Sequence, residues 1–256
     1  MAEIGRVGRP LGCALRRALV IGAGVVLVAA CAPTPGAVEC VSSPQRDGRI
    51  LVAGSGVWDA LAATVTSAED PAAVMLTESI GSGGALRALA DGAIDIGLLS
   101  RPPKEHERPP GLLVIAAGTS RLLFRAPAGA DLVALYGGGK APTYGRVPRL
   151  FVREPGDSGW DVLRKSDPLL HDAMRLAAAE GRAEIAWTDR EMRRLLTSAP
   201  GAVGPLDQSL WPVRLAASTM DRGLRKSLFV VIDRQAPPPV HKLAEKLAKE
   251  AVRAGR

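Results

Sequence analysis

An α/β fold with a mixed, mainly parallel sheet follows from three features of this 256-residue chain. Short apolar runs rich in branched residues end in glycine-bearing loops and lead into stretches of helical spacing, several times over. With 28 Gly and 20 Pro, turn punctuation divides the chain into many short elements. The chain is 47% hydrophobic and 23% charged, enough for one large core or two modest ones. That composition excludes a wholly disordered chain. Three cysteines exclude a disulfide framework. The scattered His106, His171 and His241 argue against a histidine-rich metal site.

The first element is an address. Residues 1–30 carry Arg6, Arg9, Arg16 and Arg17 against Glu3, and then an apolar run from Ala18 to Ala30. A positive region and a short apolar run make a signal peptide, too short for a comfortable membrane span. The run ends Val28-Ala29-Ala30-Cys31, which resembles the bacterial lipobox, so Cys31 is the expected lipidation site and mature N-terminus. An ordinary secretory signal followed by a chance cysteine is the plainer alternative. Losing four Arg and one Glu takes the formal charge from +7 to +4, which removes most of the case for a nucleic-acid partner. Residues 31–47 read as a flexible tether holding Cys40, an incidental thiol or, less simply, a disulfide partner.

Ile50 to Ala53 reads as a buried strand that ends in Gly54-Ser55-Gly56 and enters a helix from Trp58 to Ser67. Ala72 to Leu76 is a second strand, followed by Gly81-Ser82-Gly83-Gly84 and a helix from Ala85 to Ala90. Ile94 to Leu98 is a third strand, ending at Ser100-Arg101-Pro102. Leu112 to Ala116 and Leu122 to Phe124 read as two strands, and Leu132 to Tyr136 as a short helix before Gly137. Arg149 to Val152 is a strand leading into the glycine-bearing loop Arg153 to Gly159. Leu169 to Ala179 has helical spacing, and Thr188 with Glu191 forms a capping box for a helix to about Ser198. Ala199 to Gly204 reads as a turn and Leu228 to Ile232 as a buried strand. After Pro237-Pro238-Pro239, the residues Val240, Leu243, Ala244, Leu247, Ala248, Ala251 and Val252 form one helical face.

Five segments in this order resemble the phosphate-binding proteins of ABC transporters, which have the type II periplasmic-binding-protein fold. They are Ile50 to Gly56, Ile80 to Ala85, Asp95 to Pro102, Leu132 to Gly137, and Arg153-Glu154-Pro155-Gly156-Asp157-Ser158-Gly159. The resemblance implies two α/β lobes closing on an oxyanion, each a mixed, mainly parallel sheet flanked by helices. Lobe 1 would be 48–120 plus 222–256 and lobe 2 would be 121–221. It also implies a monomer delivering phosphate or a similar oxyanion to an ABC permease, held at the cell envelope by its lipid, with no cofactor, metal or catalysis.

The residues give that expectation its physics. A tetrahedral oxyanion needs many donors. Glycine loops before helices supply backbone amides and a favourable dipole, serines supply hydroxyls, and arginine supplies a charged fork. The expected ligand set is Ser55, Gly56, Ser82, Gly83, Gly84, Ser100, Arg101, Arg153, Ser158 and Gly159. A turn or cap accounts for any one of those serines by itself. Arg153, at the end of a buried strand, is the stronger of the two arginines, with a surface pair to Glu154 or Asp157 as its plainer alternative, and Arg101 could equally lie in solvent. Relative to the family, Ser100 stands where an aspartate is usual and Trp160 where a threonine is. The arginine-to-serine spacing is also one residue longer. The choice of oxyanion is therefore open, and a module that docks an envelope partner without binding an anion is the alternative. Gly156-Asp157-Ser158-Gly159 also mimics a serine-protease nucleophile loop, but the histidine, aspartate and serine order of a triad is not met in a suitable context.

Overall fold

The computed structural model describes residues 48–255 except 71, 109, 140–146, 213–214 and 216–218, so the signal, the tether, Cys31 and Cys40 lie outside the described residues. The strands are β1 (Ile50–Gly54), β2 (Val74–Leu76), β3 (Ile96–Leu99), β4 (Leu112–Arg125), β5 (Arg149–Arg153), β6 (Ala183–Ala186), β7 (Ala202–Asp207) and β8 (Thr219–Asp233). The helices are α1 (Asp59–Thr66), α2 (Gly81–Ala90), α3 (Leu132–Tyr136), α4 (Ser158–Ser166), α5 (Pro168–Ala179), α6 (Asp189–Ser198) and α7 (Pro238–Ala254). All eight strands join one sheet in the order β2-β1-β3-β8-β4-β7-β5-β6. Pairs β1–β2, β1–β3, β5–β6 and β5–β7 are parallel, while β8 and β4 join the two parallel ends through antiparallel pairs. The mixed α/β sheet is the one expected from the sequence; its two ends are parallel, and the long β4–β8 ladder at its centre is antiparallel.

Two strands are much longer than their apolar centres suggest. β4 is one 14-residue strand where two were expected, because it bends rather than turns. Its ladder with β8 shifts register between Ala116 and Thr119, where Gly118 adopts φ 89°, a conformation suited to a bulge glycine. β8 begins at Thr219, well before Leu228, because its first half shows alternate residues to solvent and reads as polar. β7 occupies the segment read as a turn. Pro205 is tolerated there because β5 pairs β7 only through Ala202 and Val203, leaving the proline bonded toward β4 alone.

The apolar interior falls into separate parts along the sheet. Toward the β1 end, Trp58, Ile96, Leu98, Val230 and Ile232 pack with the inward face of α7. Pro238 and Pro239 occupy the first helical positions of α7, where no amide is required. Its Leu243 and Leu247 are buried, each worth about 2 kcal/mol by removal from water. Val252, expected on the same face, is only half-buried. Toward the β6 end, Phe124, Tyr136, Val152, Leu170 and Met174 form the core. The Tyr136 hydroxyl donates to the Phe151 carbonyl at 2.7 Å, tying α3 to β5.

Candidate binding site

The serines singled out in separate loops converge on one hydroxyl. Ser55 follows β1, Ser82 lies in the first turn of α2, Ser100 follows β3, and Ser158 opens α4. Ser100 Oγ is 2.7 Å from Ser158 Oγ, 2.9 Å from Ser55 Oγ and 3.4 Å from Ser82 Oγ. The Ser100 amide also donates to Ser82 Oγ at 3.0 Å. All four side chains are buried. A hydroxyl donates once and accepts twice, so three neighbours saturate Ser100, and a ligand there would have to displace one of them.

Both expected arginines are buried, and both are already paired. Arg153 donates to Glu154 at 2.8 Å and to Asp189 at 2.5 Å, with Asp157 at 3.7 Å. Burial works against its charge, but Asp189, Asp157 and Glu154 outweigh burial and hold it protonated. Arg101 makes a two-pronged pair with Glu107 at 2.6 and 2.7 Å. Arg101 is therefore not the solvent-exposed side chain that was its plainer expectation, while Arg153 does pair with Glu154 and Asp157, though buried rather than at the surface.

Glu107 is held at about 2, chiefly by the Arg101 hydrogen bond. A carboxylate depressed by folding stabilises the protein above its ordinary range and ceases to do so as pH falls toward its folded value. Thermal unfolding should therefore show a stability loss between about pH 4.5 and pH 2 that Glu107→Gln removes.

Beneath the serines lies a charged network the sequence reading did not find. Lys226, in β8, is only 2% exposed, with its Nζ 3.6 Å from Asp157 Oδ1. Burial opposes the Lys226 charge, but Asp157, Asp207 and Asp189 together raise its pKa. Asp157 also accepts from the Gly159 amide at 2.7 Å, capping α4. Burial pushes Asp157 up, yet Lys226 and Arg153 prevail and hold it below its usual range. Asp207 accepts from Ser120 and Ser209, leaving its Oδ2 buried without a partner. Burial raises Asp189 and Glu154 despite Arg153.

Asp189 reaches from the start of α6 to the loop after β1. A Cβ placed on Gly56 would sit 2.5 Å from Asp189 Oδ2, so any side chain there would have to displace the carboxylate. A carboxylate thus stands against the turn that opens α1 and on the Arg153 guanidinium, where an anionic ligand would be expected. A cavity of about 550 Å³ opens onto these groups, lined by Ser55, Gly56, Ser82, Gly83, Ser100, Arg101, Arg153 and Ser158 among others. Its lining holds four cationic and four acidic side chains. Gly84 and Gly159 do not line it. Gly84 faces Ile80, and Gly159 gives its amide to Asp157. Trp160 turns inward, its indole donating to the Arg153 and Glu154 carbonyls. His171 is half-buried, edge-on to Trp160 at 5.7 Å.

Lys226 was missed because the strand was started at Leu228. The alternation Leu224, Lys226, Leu228, Val230 places it inward. Asp189 carried no such signal, since an acid in the first turn of a helix is ordinary. Among the described residues, no group of three histidine, cysteine or acidic side chains is arranged to hold a metal ion. No described helix is long and apolar enough to cross a membrane.

Residues 41–146 match the PBP superfamily domain. No curated protein matches the chain by sequence. A putative phosphate ABC transporter substrate-binding protein from Clostridium perfringens, solved with bound phosphate, superposes with a TM-score of 0.59 at 14% identity, covering 80% of this chain and 95% of that one. The periplasmic molybdate-binding protein of Azotobacter vinelandii gives 0.55 at 14% identity, covering 81% and 97%. A reduced form of OxyR from N. meningitidis gives 0.57 at 13% identity, covering 81% and 95%. The resemblance read from the sequence holds: residues 41–146 match a PBP superfamily domain, and the chain has the fold of the type II periplasmic-binding proteins.

Proposed function

We propose that this chain is a solute-binding protein for phosphate or a similar oxyanion, working as a two-lobed monomer with an ABC permease. The convergence of Ser55, Ser82 and Ser158 on Ser100, beside the buried Arg153, carries the reading. Hydroxyls from four loops and one guanidinium are the donors a tetrahedral oxyanion needs. Similarity of fold to the Clostridium and Azotobacter proteins, whose names specify phosphate and molybdate, supports it. The lobes would be 48–120 plus 222–256 and 121–221, with binding in the cleft between them and no catalytic role. Among the described residues that line the cavity there is no histidine to activate a serine.

The reading includes export and anchoring at the cell envelope through Cys31. Intact mass of the membrane-bound protein should show a chain beginning at a lipid-modified Cys31. An unmodified cysteine with cleavage elsewhere would refute the anchor. The transport reading itself is checked by calorimetry with inorganic phosphate, which should give one site per chain.

One observation favours the second reading, a module that docks an envelope partner and binds no anion. The cleft's charges already cancel, and both arginines are taken by carboxylates of the same chain. Folded protein that gives no heat with phosphate, sulfate, molybdate or arsenate would decide for that alternative.

A further inference from the structure

We propose that the cleft takes a phosphate-class anion bearing a second anionic group on the same molecule, with that second group seated in a basic pocket beside the serine cluster. This rests on the anion-binding reading and adds a substrate class to it. Ser100 and Ser158 line a second cavity, of about 380 Å³, that none of Glu154, Asp157 and Asp189 lines. Its charged walls are Arg101, Lys104, Arg164, Lys165 and Arg225 against Asp161 alone. The balance of the first cavity is absent here, and the excess is positive.

Some of that excess has a local explanation. Arg101 answers Glu107, and Arg164 lies 3.1 Å from Asp161. Arg164 and Lys165 also end α4, where cations offset the negative end of a helix. Lys104 acts on Glu107 only from beyond ion-pair distance, and Arg225 is in no ion pair among the described residues. Arg225 stands directly opposite Arg121 in the β4–β8 ladder, a like-charge pair that a sheet ordinarily disfavours. Arg121 is answered by Asp221 at 3.2 Å and by Gln208 at 2.7 Å, while Arg225 acts on Asp221 only from farther off. Three elements, the segment after β3, the last turn of α4 and the middle of β8, thus bring an excess of positive charge to the rim of a pocket floored by two buried hydroxyls. An anion confined to the first cavity would leave this charge unused. A second phosphoryl or carboxylate group on the same ligand would meet it.

The test is calorimetry in metal-free buffer with inorganic orthophosphate and pyrophosphate. The wild-type chain should bind pyrophosphate about tenfold or more tightly than orthophosphate. The double variant Lys165→Gln, Arg225→Gln, altering two exposed side chains, should abolish that advantage and leave orthophosphate affinity unchanged. Ser158→Ala should weaken both ligands, because Ser158 lines both cavities. Arg193→Gln with Arg194→Gln, on the exposed face of α6, should change neither. Orthophosphate binding with no advantage for pyrophosphate overturns the inference and spares the parent reading. So does pyrophosphate binding that ignores Ser158→Ala, or that falls as far in the α6 control. Failure of both ligands to bind overturns the two together.

Discussion

Arg153→Ala is expected to lower folding stability by about 3–5 kcal/mol, the range seen when one partner of a buried ion pair is removed. Arg153 is 8% exposed and sits among Glu154, Asp157 and Asp189. Truncation leaves three carboxylates in a poorly solvated site with only Lys226 close enough to answer Asp157. Two relaxations are open to them: taking up protons, or admitting water. Both raise the energy of the folded state relative to the unfolded one at neutral pH. Arg153→Lys should recover part of the loss, because the charge returns but the planar fork that meets Glu154 and Asp189 together does not. Urea unfolding midpoints read the order directly: wild type, then lysine, then alanine. An alanine variant as stable as wild type would mean that the carboxylates carry protons in the folded protein and that Arg153 answers no buried charge.

Asp189→Asn is expected to raise oxyanion affinity by about tenfold or more, given the anion-binding reading. The Asp189 carboxylate lies 2.5 Å from an Arg153 nitrogen and stands against Gly56. A bound anion would share that guanidinium and face the carboxylate at short range, where like charges a few ångströms apart repel by about 4 kcal/mol at an effective dielectric near 20. Asparagine keeps the shape and removes the charge. The same logic sets a pH dependence. Burial raises the Asp189 pKa, so acidification neutralises it earlier than an ordinary aspartate. Wild-type affinity for sulfate, which stays dianionic across the range, should therefore strengthen as pH falls, and the asparagine variant should show a flatter profile. Equal affinity and equal pH dependence in the two proteins would remove Asp189 from the account.

The elements whose apolar pattern is local were legible in the sequence. β1, β3, β5 and α7 carry continuous apolar runs or a clear helical stripe, and the structure places them within a residue or two of their expected bounds. Ser55, Ser82 and Ser158 were legible because each lies in a glycine-bearing loop ahead of a helix, and Ser100 because it ends a strand, at the usual binding edge of such sheets. What escaped depends on neighbours distant in the chain. β7 holds Gly204 and Pro205, turn formers locally, and becomes a strand because β4 supplies its ladder. α4 starts at Ser158, inside what reads as a loop, because Asp157 caps it. The arginines were found, as were Glu154 and Asp157 beside Arg153, but the partners Glu107 and Asp189 lie 6 and 36 residues away, and no spacing rule joins them. The charge balance of the cleft is therefore a tertiary fact, and it alone separates an open anion receptor from one whose own carboxylates occupy the donors.

Thermal unfolding of the folded chain across a phosphate titration tests the central claim most directly. A ligand that binds only the native state raises stability by mass action, by about 2.7 kcal/mol at a hundredfold excess over its dissociation constant. The account predicts a midpoint that climbs steadily with phosphate concentration. A midpoint unmoved by phosphate, sulfate, molybdate or pyrophosphate, in protein whose circular dichroism shows it folded, would contradict it.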